Sequence, residues 1–180
     1  GESARLDSLR ASLDLRCVFL TAPRDQLCRR IDGRCEAMLR EGLLEEVTEL
    51  LLERRLQRNH PVGRAIGYRQ TIDYLIRDPF ERGDAAAFSQ FVDHFAAKSR
   101  MYSAQQTKWF RNEPSFEWVP IDWSDPRAAE EAVLLSVARP RAEHDDILRS
   151  PRQAALKAPD PEMQKQMKRY IGQFTINDDP

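Results

Sequence analysis

The sequence predicts a helix-rich α/β chain with few strands. Three observations carry that reading. Apolar residues recur at helical spacing through five segments between positions 24 and 138. Two short apolar runs, RCVFLT at 16–21 and EWVPI at 117–121, are rich in β-branched and aromatic residues and are marked off by prolines. The aromatic residues concentrate between Phe80 and Trp123, which centres the core there.

Residues 1–15 read as a helical or frayed lead-in to the first strand, 16–21. Pro23 suits the first turn of the next helix and Asp25 its positive end. That helix carries Leu27, Ile31, Cys35, Met38 and Leu39 as its apolar stripe, and Gly42 stops it. A second helix, Leu43 to Leu56, turns Leu43, Leu44, Val47, Leu50 and Leu51 inward, with Glu45, Glu46, Glu49 and Glu53 on a solvated face. Asn59 to Gly63 forms a loop, GRAIGYRQTIDYLI a third helix, and Asp78-Pro79 its end. A long helix runs from Ala85 to Arg111. Phe88, Phe91, Val92, Phe95, Tyr102, Trp109 and Phe110 form its core stripe, with Lys98, Arg100, Lys108 and Arg111 mostly off it. The second strand follows, its Pro120 marking an edge or an end. A packed helix, Arg127 to Ala138, completes a domain of residues 1–139. Beyond it prolines recur and apolar residues thin out, so 140–160 reads as a linker and 161–172 as a weak helix in a weakly ordered tail. A lone buried strand leaves its backbone polar groups unpaired. The two strands therefore pair with each other or with strands of a further segment.

Composition excludes several function classes. The net charge of −1 argues against an evenly basic nucleic-acid coat, although a local basic face remains compatible with it. No apolar run approaches the roughly 18 residues of a membrane span, and the first residues lack a signal-peptide pattern. Cys17, Cys28 and Cys35 are an odd set without paired spacing, so a disulfide framework is not expected. His60, His94 and His144 are too scattered to complete a zinc site, and no metal-ligating residues are assigned.

The chain shows no defensible Ser/His/Asp arrangement, no HExxH and no GxxxxGK[ST] loop. Arginine remains. Arg30 and Arg34 share a helix face, and Arg34 sits beside the apolar stripe. From there it can reach an anion, for which a guanidinium fork is suited, or pair with an acid on a neighbouring helix. The second cluster is Gly63 to Gln70. Arg64 and Arg69 bring charge, Gly67 allows close approach, Tyr68 offers a ring and a hydroxyl, and free backbone N–H groups at the helix start suit an anion. The alternative is a loop-to-helix junction whose glycines relieve strain. The third cluster, Ser99 to Arg111, combines core aromatics with polar groups able to line a groove.

These clusters, in this order, resemble the tRNA dimethylallyltransferase (tRNA isopentenyltransferase) family. VFLTAPRDQLCRRIDGRCEAMLREGLLEEV is similar to the family's strand followed by R-[ILV]-x-x-R-x-x-x-M-[LI]-x-x-G-[LF]-x-x-E-[VI]; GRAIGYRQTIDYL resembles R-x-[IV]-G-Y-[RK]-[EQ]; RMYSAQQTKWFR resembles T-R-x-Y-A-[KR]-[RK]-Q-x-[TK]-W-[FIL]. The resemblance covers about residues 15–138. It implies the C-terminal part of a P-loop-kinase-like parallel sheet with helices. The implied activity moves a dimethylallyl group from dimethylallyl diphosphate to the exocyclic amine of an adenosine beside the anticodon, with magnesium assisting, in an intracellular compartment, cytoplasm or mitochondrion. The adenosine is flipped out to react. Arg34 matches the arginine that contacts the diphosphate, where it would offset charge on the leaving group. Arg64, Ala65, Ile66, Gly67, Tyr68 and Arg69 match the stretch that contacts the tRNA anticodon stem-loop.

The chain departs from the pattern at Tyr102-Ser103-Ala104-Gln105-Gln106, where two usual cations are missing. The family's phosphate loop, its Asp general base and its base-recognition residues lie upstream of the matched stretch. A fragment, inactive alone, is therefore expected. Two alternatives remain: an enzyme that prenylates free adenine nucleotides, and a non-catalytic RNA-binding remnant.

Overall fold

The computed structural model describes residues 12–158, together with 161 and 165. The lead-in at 1–11 and nearly all of the expected helix at 161–172 lie outside the described residues. The chain forms two compact units, one of residues 24–105 and one in which 12–23 join 106–158.

The first strand, β1 (Cys17–Thr21), leads into α1 (Arg24–Arg40) and α2 (Leu43–Leu52). Gly42 separates the two helices with φ of 102°, a left-handed conformation that a side chain disfavours. The second helix ends earlier than the expected Leu56, because Arg54 adopts φ of 57° and turns the chain. Leu56, 4% exposed, still packs into the core from the loop. A 3₁₀ turn, Val62–Arg64, precedes α3 (Tyr68–Leu75), so the expected third helix starts five residues after Gly63. Gly67, with φ of 95°, breaks the two apart. A short α4 (Pro79–Arg82) leads to α5 (Ala85–Arg111).

In the 24–105 unit the core is Cys35, Leu43, Val47, Leu56, Ile72, Tyr74, Phe91, Phe95 and Ala96, the inward faces of α1, α2, α3 and α5. Tyr74 stacks on Phe91 with centroids 4.8 Å apart. The stripe expected along α5 is core only in part: Tyr102 and Trp109 are 51% and 57% exposed. Helical spacing assigns residues to a face without saying whether that face is covered. Arg100 departs the other way, being 3% exposed.

In the other unit β1 pairs in parallel with β2 (Phe116–Pro120), Phe19 opposite Trp118. Phe19 lies 4.6 Å from both Phe110 and Trp118, so only part of the aromatic centre expected from the sequence packs on this sheet, while Phe91 and Phe95 belong to the core of the 24–105 unit. Then come α6 (Pro126–Ala138), capped by Asp125, α7 (Arg141–Leu148) and α8 (Pro151–Lys157). The last two occupy the stretch expected to be a linker, so the boundary at 139 falls inside a packed unit. The prolines there start helices: Pro140 precedes the first residue of α7, and Pro151 opens α8 behind the N-cap Ser150. What holds these helices is polar, which is why a search for apolar periodicity passes over them. Trp118 N–H donates to Gln153 Oε1 at 2.8 Å, and Gln153 Nε2 donates to Trp118 O at 3.0 Å. Glu117, 6% exposed, accepts from Ser136 Oγ and from Arg139 Nη1 at 3.0 and 3.2 Å, and faces His144 Nδ1 at 3.3 Å.

Candidate functional site

The sequence-derived candidates fall in the 24–105 unit. Arg34 projects from α1 as an exposed side chain, with no hydrogen bond or ion pair to any described residue. Neighbouring arginines of the same helix are committed locally, Arg29 to Asp25 and Arg40 to Glu36. Among the described residues Arg34 therefore has no acidic partner on another helix. A methyl group added at the neighbouring Gly33 would meet nothing within 4 Å, so the helix surface at Gly33, next to Arg34, is open as well. One turn further along the same side of α1 is Met38. Its Cε lies 3.8 Å from where a Cβ of Gly67 would stand. The Gly67 segment therefore seats against the helix that carries Arg34, one turn away.

The segment itself divides. Arg64, Ala65 and Ile66 are exposed, and Arg64 makes no side-chain bond to a described residue. Gly67 is buried, and a Cβ there would come 3.3 Å from the Phe95 ring, so the glycine is needed for packing as well as for φ. Its N–H donates to Gln70 Oε1 at 2.9 Å, and Thr71 Oγ1 donates to its carbonyl at 2.8 Å. Of the backbone N–H groups expected to be free at this junction, that of Gly67 is thus taken by Gln70. Tyr68 donates its hydroxyl to Glu46 of α2, which pushes the phenol above its ordinary range. Arg69 Nε donates to Asp73 Oδ2 at 3.0 Å. Glu46, expected on a merely solvated face, therefore orients Tyr68.

Sequence reasoning passed over one group in this unit. Arg24 donates to Ser103 Oγ at 3.1 Å and to the Arg100 carbonyl at 2.7 Å, and Arg100 Nη1 donates to Asp32. The only available signal was the arginine opening RMYSAQQTKWFR, which reads as surface on a helical wheel. Cys28 and Cys35 are buried, and burial pushes both thiols up, so the bland reading of small core residues fits them. Among the described residues no three His, Cys, Asp or Glu side chains gather to hold a metal.

Comparison with known proteins decides the family. Residues 2–113 match the family model described as IPP transferase, more than half of the chain. The chain belongs to the IPP transferase family. Among its IPP transferase relatives, the tRNA dimethylallyltransferase of Protochlamydia amoebophila is 36% identical over 67% of this chain and 34% of its own length. The tRNA dimethylallyltransferase 9 of Arabidopsis thaliana is 40% identical over 61% of this chain and 25% of its own. The crystal structure of the full-length tRNA isopentenylpyrophosphate transferase from Bacillus halodurans superposes with a TM-score of 0.54 at 27% identity, covering 79% of this chain and 41% of that one. This IPP transferase chain thus spans about a third of the length of the curated relatives it matches. Its helix-rich architecture with a small parallel sheet is the one expected for a part of that fold.

Proposed function

We propose that this chain is the part of a tRNA dimethylallyltransferase that holds the departing diphosphate and the RNA backbone. The reaction joins a dimethylallyl group, from dimethylallyl diphosphate, to the exocyclic amine of an adenosine beside the anticodon. Support for tRNA as acceptor comes from the names of the relatives, each a tRNA enzyme. The observation that carries the residue assignment is Arg34. It is exposed, unbonded to any described residue, and one helical turn from Met38, which packs at Gly67.

In this reading the Arg34 guanidinium donates to oxygens of the diphosphate. Charge grows there as the carbon–oxygen bond breaks, so the interaction strengthens toward the transition state. Arg64 and Arg69 hold phosphates of the RNA and Tyr68 lies along it, with the exposed Ala65 and Ile66 beside them and Gly67 keeping the strip close to the core. The described residues do not supply a metal-holding set. Magnesium, which the family resemblance implies, is not assigned to any residue of this chain. The compartment follows the substrate: intracellular, where tRNA is.

The test uses an enzyme in which this chain is joined to a phosphate-binding half. Arg34→Ala should depress kcat by at least about 100-fold, the scale of losing one donor to developing charge, with little change in tRNA affinity. Arg64→Ala should do the reverse. If Arg34→Ala only weakens tRNA binding, the diphosphate role is wrong. Offering tRNA and AMP together in a single turnover separates acceptors, and transfer to AMP alone rejects the tRNA assignment.

A further inference from the structure

Asp73 lies one turn beyond Arg69 on α3 and is shared by two arginines. Arg58 Nε donates to its Oδ1 at 2.7 Å, and Arg69 Nε donates to its Oδ2 at 3.0 Å. Arg58 comes from the loop after α2, 15 residues earlier in the chain. Both guanidiniums are engaged through Nε. Their terminal NH₂ groups make no bond to a described residue. The Arg58 side chain is 49% exposed and that of Arg69 32%, so those groups can meet a ligand from solvent. The loop is also held in place by its backbone. A Cβ at Gly63 would stand 2.1 Å from the Gln57 carbonyl oxygen, so the Val62–Arg64 turn lies directly on the segment that carries Arg58.

We propose that Asp73 positions Arg58 and Arg69 as a paired fork for RNA phosphates, extending the contact strip from Arg64 to Arg58. This rests on the RNA reading above. One carboxylate offsets one of two positive charges and leaves a net cation on two partly exposed guanidiniums, each with its terminal NH₂ pair unbonded to any described residue. That suits the paired non-bridging oxygens of a phosphodiester. Because the carboxylate fixes both side chains beforehand, less rotamer freedom is lost on binding.

The idea makes a prediction of opposite sign to simple charge counting. Removing a carboxylate beside a polyanion should tighten binding if Asp73 acts only through its charge. As a positioning residue, its removal should loosen binding. Fluorescence anisotropy of a labelled anticodon stem-loop RNA with the 180-residue chain, from about 50 to 200 mM salt, reads this directly. Asp73→Asn should weaken binding roughly tenfold, and Asp73→Glu should restore most of it. Arg58→Ala should lower the slope of log affinity against log salt by about 1. Glu130→Gln, on the exposed side of α6, serves as the charge control and should not weaken binding. Circular dichroism establishes that each variant is folded.

Tighter binding by Asp73→Asn overturns the fork. So does weaker binding with an unchanged salt slope and no rescue by Asp73→Glu, which marks a merely structural residue. If Arg64→Ala weakens binding but Arg58→Ala and Asp73→Asn do not, the fork fails while the RNA strip stands. If the unmodified chain shows no salt-dependent binding, both fail.

Discussion

Gly63 shows how far a single side chain can matter in this chain. Its neighbour is backbone rather than a yielding side chain, so a methyl group there forces the Val62–Arg64 turn away from Gln57. Gly63→Ala should cost about 1–3 kcal/mol, seen as a lower melting temperature, and should loosen the placement of both Arg58 and Arg64. Gly67 is constrained differently, by φ of 95° and by the Phe95 ring. Both glycines were legible in the sequence as strain-relieving positions at a loop-to-helix junction. Their targets were not, because Gln57 and Phe95 are brought there by the fold. Arg34, which the structure leaves exposed, was singled out by its place beside the apolar stripe. Asp73 was not, because an acid four residues after an arginine reads as an ordinary i,i+4 pair until Arg58 arrives from the preceding loop.

At the scale of elements, α7 and α8 are attached to β2 by buried polar groups. Gln153→Ala removes the bonds to both the N–H and the C=O of Trp118, leaving a buried amide and carbonyl unpaired. A loss of about 1–3 kcal/mol per unpaired group is expected, together with faster hydrogen exchange at the Trp118 amide. His144 of α7 is 1% exposed, and burial pushes its imidazole below the ordinary value of 6.5, with Arg16 adding to the effect and Glu117 opposing it. Arg141 also lowers it and Asp145 raises it, while Ser136 and Arg139 of α6 meet the same Glu117. The sign follows. The unfolded chain takes up a proton near 6.5 while the folded one resists, so stability is fully present above that value and declines as pH falls below it. Melting temperatures measured between about pH 7 and 5 should fall less steeply for His144→Gln than for the unmodified chain. These helices escaped the sequence reading because their anchors, Gln153, His144 and Glu117, carry no periodic apolar signal. The five helical segments read from the sequence were found because theirs do.

For the whole molecule, both strands and their mutual pairing were among the arrangements the sequence allowed, and the parallel sense and register came only with the fold. The split into two units was not foreseen, since it joins residues 12–23 to 106–158 across the intervening 24–105. Sequence distance hides such a pairing until β1 and β2 meet. The 180 residues contain no GxxxxGK[ST] loop. If the proposed function holds, the chain by itself, offered tRNA, dimethylallyl diphosphate and magnesium, should bind RNA and leave its adenosines unprenylated, as liquid chromatography of digested nucleosides would show.

The two-point grip of Gln153 on Trp118 also decides where this sheet can grow. In a parallel pair alternate residues point their amide groups outward, and the bond from Ile121 N–H to Thr21 O sets the phase. By that phase Trp118 looks away from β1, and a glutamine already fills the slot that another strand would take. Val18 and Leu20 face the opposite margin with their own backbone donors and acceptors. Recruitment of a neighbouring chain or segment is therefore one-directional: it must enter beside β1, because entry beside β2 would first have to evict an amide that mimics the visitor's own backbone.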